Sequence, residues 1–132
     1  MAGAMKPSKL PPAMFERALT LDVRGKTRKV MVRVHKPKRD VLPGGDWQCD
    51  FTISGIPGRR PVTRSSYGVD SMQAALLALQ HLRLELRYYQ AERVDLRWLG
   101  TKALHFPKIS AGEPSVEEYR RTRKPDRRPR AR

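Results

Sequence analysis

The sequence predicts an α+β fold with two layers: a four-stranded antiparallel meander sheet with one long helix packed across one face, followed by a flexible basic C-terminal tail. Three observations predict it. Residues 47–54 alternate strictly between apolar and polar side chains, the mark of a half-buried strand in an antiparallel sheet. Residues 72–86 carry apolar side chains at helical spacing. From residue 110 the apolar content collapses and arginines accumulate. The chain has 132 residues, enough for one domain with one modest core.

Residues 1–14 contain three prolines and no periodicity, so they read as a flexible arm. Leu19, Leu21 and Val23 then share one face of a first strand. Arg24, Gly25, Lys26 and Thr27 form a turn in which Gly25 accepts positive φ. Val30, Val32 and Val34 alternate on a second strand, and the pair reads as a hairpin. Residues 36–45 form a loop with two prolines and two glycines. The third strand points Trp47, Cys49, Phe51 and Ile53 inward, and Gln48, Asp50, Thr52 and Ser54 outward. Residues 55–58 break it, and residues 62–67 supply the fourth strand, with weaker alternation.

The helix opens on Asp70, with Gln73 three positions on, as in a capping box. Met72, Ala75, Leu76, Leu79, Leu82 and Leu86 follow its apolar stripe, and Leu77 and Leu84 widen it. Arg83, Glu85 and Arg87 mark the wet side, and the helix runs to about Tyr89. In this arrangement Leu21, Val32, Phe51 and Ile53 lie under Leu76, Leu79 and Leu86, the simplest way to hide both apolar faces. Residues 96–100 are a short extended piece, and Phe106 and Pro107 dock at the core edge. Ser115 and Glu118 offer a second capping box and allow a short helix through Tyr119. The organisation is therefore an arm over residues 1–14, one α+β domain over 15–109, and a basic, mostly disordered tail over 110–132.

An ordered set of motifs runs along the middle of the chain. Trp47, Cys49, Phe51, Ile53 and Gly55 recur at every second position. Tyr67, Gly68, Val69 and Asp70 follow, then Gln73 and Ala74. After the Leu-rich helix come Trp98, Leu99 and Gly100, then Phe106 and Pro107. Over residues 47–107 this set resembles an uncharacterised family of small bacterial proteins, a domain of unknown function. The resemblance implies no catalytic residue, and the basic tail lies outside it.

Charge is the strongest functional signal. There are 28 Lys and Arg against 13 Asp and Glu, a formal net charge of +15. Residues 1–60 hold 13 basic and 5 acidic side chains, residues 61–115 hold 7 and 5, and residues 116–132 hold 8 and 3. Such an excess favours polyanionic partners. Arg outnumbers Lys 19 to 9, so a GC-rich coding sequence is a second explanation for the charge of the body. The expected polyanion-binding residues are Arg24, Lys26, Arg28, Arg59 and Arg60 on a loop rim, because a meander brings the first turn and the loop after the third strand to one end. In the tail they are Arg120, Arg121, Arg123, Lys124, Arg127, Arg128, Arg130 and Arg132.

Enzymatic chemistry finds little support. The single cysteine excludes an intrachain disulfide and a cysteine-based zinc site. It sits on an apolar strand face without a base. His35, His81 and His105 lack metal-ligand spacing and read as surface or edge histidines. Asp70 and Gln73 read as caps, and Trp47 as core rather than a base-stacking platform. No catalytic, metal or cofactor-binding set emerges. The expectation is a non-enzymatic binding protein that engages a polyanion, most naturally nucleic acid. The alternative is a protein–protein module, an adaptor or immunity-type protein, with an acidic protein partner and no nucleic-acid role. The absence of an apolar run of about 18 residues and of an apolar leader segment makes a cytoplasmic location without a membrane span the expectation.

Overall fold

The computed structural model describes residues 10–39, 46–108 and 112–126. It is α+β, with an antiparallel sheet and a helix packed on it, as the residue pattern predicts. The elements in chain order are β1 (Ala13–Val23), β2 (Lys26–His35), β3 (Lys38–Arg39), β4 (Trp47–Ser54), β5 (Val62–Gly68), α1 (Ser71–Ala91), β6 (Leu96–Arg97) and α2 (Val116–Thr122). The sheet therefore has six strands rather than four. The four expected strands form the meander, β1 to β2 to β4 to β5, each pairing antiparallel with the next. Two strands of two residues complete it. β6 pairs with Thr20 and Leu21 of β1. β3, inside the stretch expected to be a loop, pairs with Trp47 and Gln48 of β4. Since β5 takes the other edge of β4, β2 and β3 share one edge end to end.

The core lies between sheet and helix. Leu19, Leu21, Val30, Val32, Val34, Cys49, Phe51 and Ile53 are buried on the inward face. Trp47, expected there too, is half-buried and packs against the core margin. On α1 the buried stripe is Ala74, Ala78, Leu82, Glu85, Leu86 and Tyr89. This corrects the expected stripe at its start: Met72 is 72% and Leu76 40% exposed. The physical reason is a close approach. A Cβ built on the buried Gly68 would stand 2.5 Å from the Ala74 backbone nitrogen. Only alanine fits between helix and sheet here, so the larger side chains turn outward. Farther along, the layers separate enough for Leu82 and Leu86.

The caps form as expected, with one shift. Asp70 accepts from the Gln73 N–H at 2.7 Å, whereas the Gln73 side chain accepts from the Val69 N–H, one residue before the cap. At α2 both halves of the Ser115–Glu118 capping box are present. Phe106 packs against the core edge. Arg17 fastens that segment, donating to the Leu104 carbonyl at 2.8 Å and lying 4.0 Å over the Trp98 ring.

Two histidines depart from the surface reading. His35 is buried, with Nδ1 2.8 Å from the Pro11 carbonyl and Nε2 3.2 Å from Thr52 Oγ1. His81 is half-buried, edge-on to Phe51 with ring centroids 5.1 Å apart. Cys49 donates to the His35 carbonyl, and burial, helped by the Asp50 charge, pushes its thiol up to about 11. Such a thiol is a core group, not a nucleophile.

Phe51 is fully buried at the centre of the sheet face. Phe51→Ala should destabilise the fold by about 3–5 kcal/mol, the usual loss for a deleted core aromatic. A melting temperature equal to that of the unsubstituted chain would contradict this placement.

Candidate polyanion interface

The register brings the expected rim together. β2 runs antiparallel to both β1 and β4, so the β1–β2 turn and the β4–β5 connection lie at one end of the sheet. Arg24, Lys26, Arg28, Arg59 and Arg60 are all exposed there. α1 starts at the opposite end, after Gly68, and finishes at this one, where the following segment returns as β6 beside Leu21. Arg120 of α2 reaches Glu92, just past the end of α1, at 3.0 Å. Rim and tail, far apart in sequence, thus converge on one end of the molecule. A cavity of about 610 Å³ lies between them, lined by Arg60, Thr63, Arg64, Lys124 and Asp126.

What draws the C-terminal segment in is a carboxylate. Glu85, expected on the wet side of the helix, is 0% exposed. Tyr119 donates to its Oε1 at 2.5 Å. Arg123 donates from Nε to Oε1 at 3.2 Å and from Nη2 to Oε2 at 2.7 Å. Arg64, at an inward position of β5, brings Nε to 3.2 Å from Oε1, off the line of a hydrogen bond. Arg64 also donates to the Lys124 carbonyl at 2.8 Å and to Asp126 at 3.1 Å. Asp126 accepts from Arg123 at 2.7 Å and lies 3.5 Å from Arg59. The Arg123 guanidinium covers the Tyr88 ring at 3.9 Å.

Burial alone would raise the Glu85 carboxyl. The hydrogen bonds from Arg123 and Tyr119 and the positive charges of Arg64 and Arg123 outweigh it, so Glu85 titrates below the usual carboxylate range. His81 sits beside it, with Nε2 3.0 Å from the Tyr119 hydroxyl and Nδ1 3.3 Å from Ser66 Oγ. Because the Tyr119 hydroxyl donates its hydrogen bond to Glu85, its oxygen accepts from His81 Nε2, and Nδ1 is left to accept from Ser66. Burial lowers the His81 pKa; the Glu85 charge opposes the shift, and Arg64 and Arg123 add to it. The ring is neutral at pH 7. Glu85, Tyr119, Arg123 and His81 partner one another inside the fold, with only Arg64 Nε and the Tyr89 hydroxyl beside them left without a hydrogen bond, so the cluster acts as a fastening.

The expected binding residues therefore divide. Arg24, Lys26 and Arg28 project from the hairpin, Arg60 lines the cavity, and Arg121 and Lys124 are exposed. Arg59 is held by Asp126 and lies 5.0 Å over Tyr89. Arg120 is shared between Glu92 and Glu117. Arg123 is corrected: its side chain is 7% exposed and committed to Glu85 and Asp126, so it presents no charge to a partner. Arg127, Arg128, Arg130 and Arg132 lie outside the described residues. The segment read as mostly disordered is folded over the part described, with Tyr119 buried under α1. Sequence reasoning missed Arg64, Glu85 and Asp126. A signal existed for two of them: Arg64 alternates with the inward Val62, and Glu85 falls between Leu82 and Tyr89 on the buried stripe.

The outer sheet face is largely self-neutralised. Glu16 pairs with Arg33 at 2.7 Å. Asp50, buried, accepts from Ser65 at 2.6 Å and from Gln48 at 2.8 Å, with Lys38 3.9 Å away. Tyr67, half exposed and opposite Gln48 on this face, is an aromatic that the sequence reading did not place there. Among the described residues no group of three or more His, Cys, Asp or Glu side chains is arranged to hold a metal ion.

Two outcomes follow from the fastening. Deleting residues 116–132 strips Glu85 of Arg123 and Tyr119 and should cost about 3–5 kcal/mol, the range for breaking a buried pair from one side. Chemical denaturation of the full and truncated chains measures it. Stability should also fall with acid. Both folded-state pKa values are depressed, so the stability these groups contribute is complete above their ordinary values. It is lost first as pH falls below 6.5, where an unfolded His81 binds its proton, and again below 4.5 as Glu85 is protonated. His81→Gln should flatten the upper part of a plot of melting temperature against pH and leave the lower part.

No curated protein and no solved structure matches this chain. One family model does, over residues 15–108. The match extends the resemblance read from residues 47–107 back through the first hairpin and stops before α2, so Tyr119, Arg123 and Asp126 lie beyond it. Over residues 15–108 the chain belongs to the family described as a domain of unknown function, DUF6968.

Proposed function

We propose that this is a non-enzymatic binding protein that engages a polyanion, with nucleic acid as the polyanion, through the basic end of the sheet and the basic C-terminal segment. The observation that carries the reading is where the acids are spent. Glu16, Asp50, Glu85, Glu92, Asp95, Glu113 and Asp126 each face a cation of the same chain. Asp70 and Glu118 are committed to helix caps. With 13 acids against 28 bases, the surplus cations, those of the hairpin turn above all, are left for an external anion. The cluster around Glu85, its carboxylate held by Arg123 and Tyr119, supports a binding role over a catalytic one. No described helix is long and apolar enough to cross a membrane, and a free thiol in Cys49 is at home in the reducing cytoplasm.

A second reading has its own observation. Val69, just before the cap of α1, and Met72 and Leu76 in its first turns are 75%, 72% and 40% exposed. That apolar patch, at the end away from the basic rim, favours a protein–protein module, whose partner is acidic where it meets the basic end.

A salt titration separates the two. If about six phosphates are contacted, affinity for duplex DNA should fall roughly a thousandfold between 50 and 200 mM salt. Scrambling the base sequence should change it little, because phosphate contacts carry no sequence information. Absence of binding at 50 mM salt would overturn the nucleic-acid reading and put the protein-partner reading first.

A further inference from the structure

We propose that the β1–β2 hairpin is the element that enters the nucleic acid, its basic ribbon over residues 22–29 seating in the major groove of B-form duplex DNA. The inference rests on the polyanion reading and goes beyond it by naming the element and the groove.

The ribbon projects. β4 pairs with β2 only at residues 31–34, and Gly55, past the end of β4, packs over the Lys29 carbonyl. β6 covers β1 only at Thr20 and Leu21. Beyond these limits the backbone of each strand pairs only with the other, Asp22 with Thr27 and Val23 with Lys26, while the Val23 side chain still rests on the core margin. At a rise of about 3.4 Å per residue, roughly 10 Å of ribbon reaches past the backbone ladders of its neighbours, and its outer edges and tip are open. Two strands about 5 Å apart fit a B-DNA major groove, about 12 Å wide and 8.5 Å deep, which admits such a ribbon.

The ribbon is also pre-shaped and charged on both sides. Arg24 and Gly25 have φ of 51° and 80°, the left-handed pair of a type I′ hairpin turn that matches strand twist. The ladder from Val23–Lys26 to Phe15–Val34 has no bulge, and Leu21 is buried at its base. Little order need be gained on binding. Arg24 is at the tip, Lys26 and Arg28 are on the face that continues Val30, and Lys29 is on the other. A ribbon lying along a groove has phosphates on both walls, and these faces serve both. Asp22, the acid on the ribbon, shares the Lys29 face and accepts from Thr27 Oγ1 at 2.8 Å.

The same geometry disfavours other nucleic acids. The major groove of A-form RNA is too narrow for side chains to read. Single strands are held on aromatic platforms, and the open face of this sheet offers Tyr67.

The test uses the full chain and a variant carrying Arg24→Asn, Lys26→Ser, Arg28→Ser and Lys29→Ser. Asn tolerates positive φ and Gly25 is kept, so the turn survives. On a labelled duplex of about 20 base pairs the variant should bind at least tenfold more weakly at about 100 mM salt. Its slope of log affinity against log salt should shrink by about 3. The unsubstituted chain should prefer duplex DNA to duplex RNA or single strands of the same length. It should also protect guanine N7, in the major groove, from dimethyl sulfate, and leave adenine N3, in the minor groove, reactive. Unchanged affinity and slope in the variant, protection at N3 alone, or equal binding of duplex RNA would each overturn the inference while leaving the polyanion reading intact. Absence of binding to every nucleic acid would instead overturn that reading, and this one with it. If the variant does not fold, the footprint of the unsubstituted chain decides.

Discussion

The fold is organised around a charge that it cannot leave unpaired. An ionised carboxylate such as Glu85, taken wholly out of water, costs several kcal/mol unless cations and donors surround it. In this chain they come from three directions: Arg64 from the sheet edge, Tyr119 from α2, and Arg123 from the residue that caps it. Satisfying Glu85 therefore fixes where β5, α1 and the C-terminal segment meet. The same cluster brings Asp126 over to Arg59, and so sets the basic end of the molecule. Hydrophobic burial holds sheet and helix together; the ion cluster decides what else may join them.

The two kinds of interaction leave different traces in a sequence. The four long strands were legible because each carries its pattern locally. Strict alternation from Trp47 to Ser54, and the valines at 30, 32 and 34, need no knowledge of the partner strand. The caps at Asp70 and Ser115 were legible for the same reason, since a cap is satisfied within one turn. β3 and β6 were not, because two-residue strands exist only through the ladder that recruits them. The outward turn of Met72 and Leu76 depends on how closely Gly68 lets the helix approach, a distance no periodicity records.

The candidate site splits along the same line. Exposed cations at a turn, Arg24 and Lys26, can be read from the chain, since a turn and its charges are local features. Arg123 could not be distinguished from Arg120 or Arg121. What removes it from the surface is Glu85, 38 positions earlier, and Tyr88 beneath its guanidinium. A charge run tells the sign of a surface; which of its members are spent internally is a tertiary fact. Glu85 itself carried a hint, lying on the stripe that continues through Tyr89, but an acid flanked by Leu84 and Leu86 reads as solvent-facing until its counter-charges are located.

The position of α2 has a consequence for what counts as one unit. The family's shared region ends at residue 108, yet this chain buries within that region an acid whose closest cation and hydroxyl are supplied from residues 119 and 123. The matched stretch is thus shorter than the part that folds here. A chain cut where the match stops leaves Glu85 without Tyr119 and Arg123, a cost that a neutral side chain at that position or a cation lent by a partner molecule would remove. In this chain the C-terminal segment and the buried acid are coupled, since losing either leaves the other's polar groups uncompensated.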